Sequence, residues 1–214
     1  MSTTILLIRH GETAWNAERR LQGHIDIELN DNGRRQAGLL AGALASTPLH
    51  AVIASDLARA HDTAAAVAAH HGLLVQNDAQ LRERCYGAFE GLTHAEIRQR
   101  YPADYLAWQA REVDAQMPAG VRVAETFRQF YQRSLAALTA WGDRYAGQSI
   151  AVVAHGGVLE CAHRAAVGGP LGGPRNFEIK NASINRFSYA DGKLVLLRWG
   201  DVDHLAAPAI DELG

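Results

Sequence analysis

The amino-acid sequence predicts an α/β protein built on a mostly parallel sheet covered by helices. Two short aliphatic runs, Ile5-Leu6-Leu7-Ile8 and Ile150-Ala151-Val152-Val153, lack alternation and read as strands buried on both faces. Strand-like and helix-like segments alternate along the 214 residues, with no internal repeat and few low-complexity stretches. Both aliphatic runs also stop at a histidine–glycine pair, His10-Gly11 and His155-Gly156. In open α/β sheets the carboxyl ends of the strands are where ligands bind.

The elements follow in order. After the first strand, Asn30-Asp31-Asn32-Gly33 opens a helix through about Ala45, capped by Asn or Asp, with Leu39, Leu40 and Leu44 on one face. Residues 51–54 are the second strand. Ser55 is placed to cap the alanine-rich helix that follows, and Gly72 is its left-handed stop. Leu73-Leu74-Val75 is the expected third strand, and 81–91 is irregular. Thr93-His94-Ala95-Glu96 has the capping-box pattern of a helix start, and Tyr101-Pro102 interrupts that helix. Residues 93–120 read as a helical flap over the sheet, carrying Tyr101, Tyr105, Leu106 and Trp108. The longest helix, Glu125 to Tyr145, lines one side with Phe127, Phe130, Tyr131, Leu135, Leu138, Trp141 and Tyr145, and is core. Residues 149–154 form the other buried strand, followed by a helix from Val158 to Val167. Gly168 to Pro174 matches neither GxGxxG nor a P-loop and reads as a flexible connection. Asp191-Gly192 makes a tight hairpin of 183–189 and 193–199, and the tail from about 206 to 214 is expected to be loose.

Composition bounds the function. A chain with 48% hydrophobic and 21% charged residues can bury a real core, and 1–214 is expected to be one domain. A net charge of -2 without a basic block argues against nucleic acid or an acidic membrane as partner and for a small substrate. Cys85 and Cys161 lack CxxC spacing, which argues against a disulfide framework and a thiolate zinc site and for a reducing, cytoplasmic location. The run Ile5 to Ile8 is too short for a signal sequence, and no stretch reaches the length of a membrane span. The apolar strand from Ile184 to Tyr189 is read as an edge that a second subunit of a homodimer would cover.

If the two strands are neighbours in the sheet, their imidazoles sit side by side, and a histidine pair with arginines nearby makes a phosphate site. Guanidinium forks pair with phosphate oxygens, and the glycine after each histidine lets backbone approach the ligand. One imidazole can attack phosphorus if its attacking nitrogen is unprotonated and the other is held as a donor; adjacent arginines help by lowering its pKa.

A longer ordered set extends this pattern: Arg9-His10-Gly11-Glu12-Thr13, Trp15-Asn16, Gln22-Gly23, Ser55-Asp56-Leu57-x-Arg59-Ala60, Leu81-x-Glu83-x-x-Tyr86-Gly87, Glu90-Gly91-Leu92-Thr93 and Ala154-His155-Gly156-Gly157. Over nearly the whole chain it resembles the histidine phosphatase superfamily, the phosphoglycerate mutase-like proteins. The resemblance implies a three-layer α/β/α sandwich with a helical flap over the active site. It implies His10 as the nucleophile that becomes phosphohistidine, Arg9, Arg59 and His155 as ligands of the phosphoryl group, and Glu83 as the general acid. Asn16, Gln22, Gly23 and the Gly156 amide are implied as further phosphate or substrate contacts. The substrate is then a small phosphorylated metabolite. No metal is required, and the sequence offers no HExxH or carboxylate cluster.

Three fates of the phosphohistidine compete: transfer to water by a phosphatase, transfer to another hydroxyl by a phosphoglycerate mutase primed with 2,3-bisphosphoglycerate, and no turnover in a phosphate-binding scaffold. The mutases carry a basic insertion after the acid-bearing loop, with a lysine and an arginine pair. Here the only lysines are Lys180 and Lys193, and Arg98, Arg100 and Arg111 are not adjacent. The phosphatase is therefore the favoured reading. The scaffold ranks last, because a binding site has no use for both a nucleophile and an acid. His24, His50, His61, His70, His71, His94, His163 and His204 are assigned surface or structural roles, as is Asn181-Ala182-Ser183.

Overall fold

Side chains from Ile5 to Ile8 lack alternation because helices cover both faces of the strand that holds them. In the computed structural model, which describes residues 1–206, Ile5 and Leu7 pack with Phe130, Leu138, Val158 and Leu159, while Leu6 and Ile8 pack with Leu40, Leu44 and Val67. The strand is β1 (Thr3–Arg9), and five more complete the sheet: β2 (Ala51–Ala54), β3 (Val75–Asn77), β4 (Ser149–Ala154), β5 (Ile184–Ala190) and β6 (Lys193–Asp201). Their order is β3-β2-β4-β1-β5-β6. The first four run parallel, and β5 and β6 are each antiparallel to the preceding neighbour.

Helices α2 (Asp31–Leu44) and α3 (Ala58–His71) cover one face; α6 (Phe127–Arg144) and α7 (Gly156–Val167) cover the other. This is the expected three-layer arrangement. Three shorter helices, α1 (Ala14–Ala17), α4 (His94–Arg100) and α5 (Pro102–Gln109), precede α6. The last two join a separate apolar cluster of Phe89, Ile97, Met117 and Ala124, flanked by Tyr101, Tyr105 and Trp108. Thr93 and Glu96 cap α4 reciprocally, and Pro102 opens α5.

Several expectations need correction. Residues 73 and 74 are not strand: Gly72 is left-handed, Leu73 N–H returns to Ala68 O to close α3, and Leu74 is 89% exposed. Pairing with β2 starts only at Val75. Leu39 leaves the buried face of α2, which Leu40 and Leu44 share with Gly33, Gln36, Ala37 and Ala41. Ser55 does not cap α3; its hydroxyl accepts from Leu57 N–H at 3.4 Å, ahead of a helix whose N-cap is Leu57. The flap is helical only to Gln109. The helix after β4 begins at Gly156, two residues early, because its glycines take helical dihedrals directly from His155. The segment 168–174 is tied down by Arg164, whose guanidinium donates to the carbonyls of Pro170 at 2.6 Å and Gly173 at 2.8 Å. Finally, β5 lies between β1 and β6, so it is no edge and needs no second subunit to cover it. The Asp191-Gly192 hairpin is as expected, both residues having positive φ. Of the expected loose tail, 207–214 lie outside the described residues.

Candidate active site

Parallel pairing of β1 with β4 sets Arg9 opposite Ala154. The next residue of each strand is a histidine, and the rings of His10 and His155 come to 5.1 Å between centroids, inclined at 60°. Both imidazoles are buried. His10 Nδ1 lies 2.6 Å from the carbonyl oxygen of Gly11. A carbonyl can only accept, so Nδ1 carries the proton and Nε2 keeps its lone pair. His155 has no partner on either ring nitrogen.

Two guanidiniums flank this pair. Arg59 projects from the first turn of α3, is fully buried, and donates from its terminal nitrogens to Gly23 O at 2.8 Å and Ile25 O at 3.0 Å. Arg9 donates to Ile179 O at 2.7 Å. The Nε–H of each is buried without a partner, as is Gln22 Oε1. Buried polar groups are almost always satisfied. A cluster of unsatisfied ones, mostly donors, on the wall of one cleft is chemistry suited to an anion. The cleft, of about 1140 Å³, is lined by Arg9, His10, Asn16, Gln22, Gly23, Arg59, Glu83 and Gly156 among others. His155 is not on its lining but backs His10.

The electrostatics suit a neutral nucleophile beside fixed charge. Burial, then the Arg59 and Arg9 charges, hold His10 well below the ordinary histidine value; burial, then Arg59, does the same to His155. Burial is thus the larger cause, and the arginines expected from sequence to help come second. Burial also lowers Arg59, to about 10, which leaves it charged at neutral pH.

Glu83 is held at the cleft by backbone. Its carboxylate accepts from Arg84 N–H at 2.8 Å and from Gly157 N–H, at the start of α7, at 3.1 Å. The Glu83 carbonyl accepts from His24 Nε2 at 2.8 Å and from Arg133 at 3.2 Å, so His24 is structural, as read. His163, stacked on Phe177 at 3.8 Å, is not part of the cleft lining.

Asn16 and Gly23 also have definite roles in the geometry. Asn16 Oδ1 accepts from Thr13 and from Asn181 Nδ2, so the NH2 is what remains for a ligand. Gly23 has φ of +53°, and a Cβ there would overlap the Glu90 carboxylate, which accepts from His24 N–H and Tyr86 N–H. Only glycine lets that loop offer its carbonyl to Arg59.

Sequence reasoning missed the supports. Thr63 joins the His10 loop to α3, accepting from Gly11 N–H at 3.0 Å and donating to Arg59 O at 2.7 Å. Gln36 accepts from Glu12 N–H; Asn181, read from sequence as structural, donates to His10 O. It also missed Arg84, Tyr86, Arg111, Glu160 and Arg175 on the cleft wall, though Trp108 from the expected flap is there. A helical Thr four residues after Arg59 carries no signal in one sequence; its partner is 52 residues away.

Comparison with known proteins places the chain among relatives of the same fold. The chain is 42% identical over 205 residues to phosphoglycerate mutase-like protein 4 of Arabidopsis thaliana, covering 94% of this chain and 86% of that one. It is 36% identical over 208 residues to the metal-independent phosphoserine phosphatase of the same plant, covering 96% and 84%. Among solved structures, YhfR of Bacillus stearothermophilus superposes with a TM-score of 0.87 at 34% identity, covering 95% of this chain and all of that one. The family model of the histidine phosphatase superfamily, branch 1, matches residues 5–202, and the chain belongs to that family.

Proposed function

We propose that the protein is a metal-independent phosphomonoesterase that works through a phosphohistidine on His10. The observation that carries this reading is the His10 tautomer: Nδ1 is bound to a carbonyl, and Nε2 is left unprotonated in a cleft lined by unsatisfied cationic donors. The phosphoserine phosphatase relative, metal-independent by name, supports water as the acceptor. Among the described residues no group of three or more His, Cys, Asp or Glu has the geometry of a metal site.

In the first step the His10 Nε2 lone pair attacks phosphorus. The P–O bond to the alcohol breaks, and the Glu83 carboxyl gives its proton to the leaving oxygen. Arg9 and Arg59 stabilise the charge spread over the transferring group, with Asn16, Gln22 and the Gly156 amide completing the cradle, while His155 packs behind His10. In the second step water attacks the phosphohistidine and loses its proton to the Glu83 carboxylate, releasing phosphate and restoring both groups.

Phosphorus NMR on 3-phosphoglycerate, in chelator and with or without 2,3-bisphosphoglycerate, tests the reading. Release of inorganic phosphate from this or another phosphomonoester, with a one-phosphoryl mass increase on His10 during turnover, is the expected result. Appearance of 2-phosphoglycerate accelerated by the bisphosphate would identify a mutase instead. Tight phosphate binding without turnover of any ester would leave the scaffold reading.

A further inference from the structure

The chain from Arg82 to Tyr86, which carries Glu83, is neither helix nor strand, so its backbone groups must find partners outside any ladder. One side chain supplies most of them. Arg133, in the second turn of α6, donates from one terminal nitrogen to the carbonyls of Gln80 at 2.6 Å and Arg82 at 3.0 Å, and from the other to the Glu83 carbonyl at 3.2 Å. Its remaining N–H groups form a fork on the Glu125 carboxylate, both bonds at 2.7 Å. Every donor of the guanidinium is therefore used.

Glu125 extends the grip. The carboxylate oxygen that accepts from Arg133 also accepts from Cys85 N–H at 2.9 Å, while the Glu125 backbone N–H donates to Cys85 O at 3.0 Å. The Glu125 carbonyl accepts from Arg84 Nε–H at 2.9 Å. Arg133 and Glu125 together thus hold the backbone on both sides of Glu83 and the Glu83 carbonyl itself. His24 supplies that carbonyl with its second donor, and the Glu83 carboxylate is held at its other end by Arg84 N–H and Gly157 N–H. Arg133 does not line the catalytic cleft. It lines a separate hollow of about 350 Å³ with His24, Gln80, Arg82, Cys85 and Glu125.

We propose, resting on the reading of Glu83 as the acid, that Arg133, oriented by Glu125, is a positioning residue that fixes Glu83 for proton transfer without touching the substrate. Charge-assisted bonds to carbonyls are stronger than neutral ones, and the planar fork directs them to several acceptors at once. A general acid needs that precision, because it must lie within hydrogen-bond reach of the leaving oxygen. The loop has no ladder to provide it.

The test separates placement of the acid from the amount of folded protein. Phosphorylation of His10 is followed in single turnovers with phenyl phosphate, whose leaving oxygen needs a proton, and with 2,4-dinitrophenyl phosphate, whose leaving oxygen does not. Arg133→Met keeps the apolar stem and removes every donor. It is expected to slow phenyl phosphate about 10²-fold and the dinitrophenyl ester by less than about threefold, with the dissociation constant of inorganic phosphate unchanged. Arg133→Lys, which keeps the charge and loses the fork, falls between. Should Arg133→Met not fold, Glu125→Gln, which keeps an acceptor for Cys85 N–H and weakens the fork, is read the same way. Equal losses with both esters, as a smaller folded fraction would give, or no loss with either, would overturn the proposal. Glu83→Gln is run beside these variants. Discrimination between the esters by Glu83→Gln but not by the Arg133 variants sinks the positioning role alone. No discrimination by Glu83→Gln, or no phosphohistidine in the unsubstituted protein with either ester, removes the reading of the acid or of the phosphatase, and the proposal with it.

Discussion

At the scale of single residues, the protein depends on keeping two buried imidazoles neutral. Unfolded, each takes up a proton near its ordinary value of 6.5; folded, burial and the neighbouring arginines oppose this. Below 6.5 the unfolded state therefore binds more protons, and stability that is complete above that pH is lost as pH falls toward the depressed folded values. Unfolding free energies from urea titration should drop between pH 7.5 and 5.5, by at most about 1.4 kcal/mol per pH unit for each imidazole. His155→Gln should flatten that slope. The same depression keeps His10 nucleophilic in mild acid, so the acid limb of kcat/KM is expected below 6.5 rather than at it. His10→Ala should abolish turnover, and appreciable residual activity would exclude a covalent route through this residue. Glu83→Gln should lower kcat by about 10²- to 10⁴-fold for substrates with poor leaving groups, and less for aryl phosphates that need no acid.

Single elements place these groups to within a fraction of an ångström. Helix α7 starts on two glycines, and a Cβ at Gly157 would collide with the Glu83 carboxylate and the Phe130 ring. Gly157→Ala is expected to displace the acid and lower kcat by about 10²-fold with little change in phosphate binding, a split that steady-state kinetics and phosphate titration would read. Asn30 both caps α2, accepting from Gly33 N–H at 2.7 Å, and donates to the Glu12 carboxylate at 2.8 Å. Asn30→Ala should cost about 1 kcal/mol in denaturant unfolding. Element starts were legible where side chains signal them, as at Thr93, whose capping box formed; the Thr126 box that starts α6 went unread. They were misread at Ser55 and Leu73, where the backbone route into or out of α3 overrode a favourable residue type.

Taken whole, the cleft is assembled from segments far apart in the chain: the end of β1, the loop at 22–23, α3, the Glu83 loop and the start of α7. The Arg82–Asp56 pair, with bonds of 2.7 and 2.6 Å, fastens the Glu83 loop to the end of β2. An anion bound among these segments favours only the folded state. Inorganic phosphate should therefore raise the unfolding free energy, by about 2.7 kcal/mol at a hundredfold excess over its dissociation constant. Arg59→Met should abolish that increment, as calorimetric melting with and without phosphate would show.

The sequence by itself determined the layers and the strands that bear His10 and His155, and it offered the proposed phosphate-binding set through the resemblance of its ordered motifs. Each rests on local chemistry: unalternating aliphatic runs, caps, and arginines and histidines at strand or helix ends. Tertiary structure alone decided that Arg9 faces Ala154 in register, that Gly157 and Thr63 hold Glu83 and the His10 loop, and that Arg111 and Arg175 share Glu160. Those contacts join residues 49 or more positions apart, or depend on how a loop folds back, and no local preference encodes them. They arise only when the sheet closes and brings its carboxyl edge, α7 and the flap around one cleft.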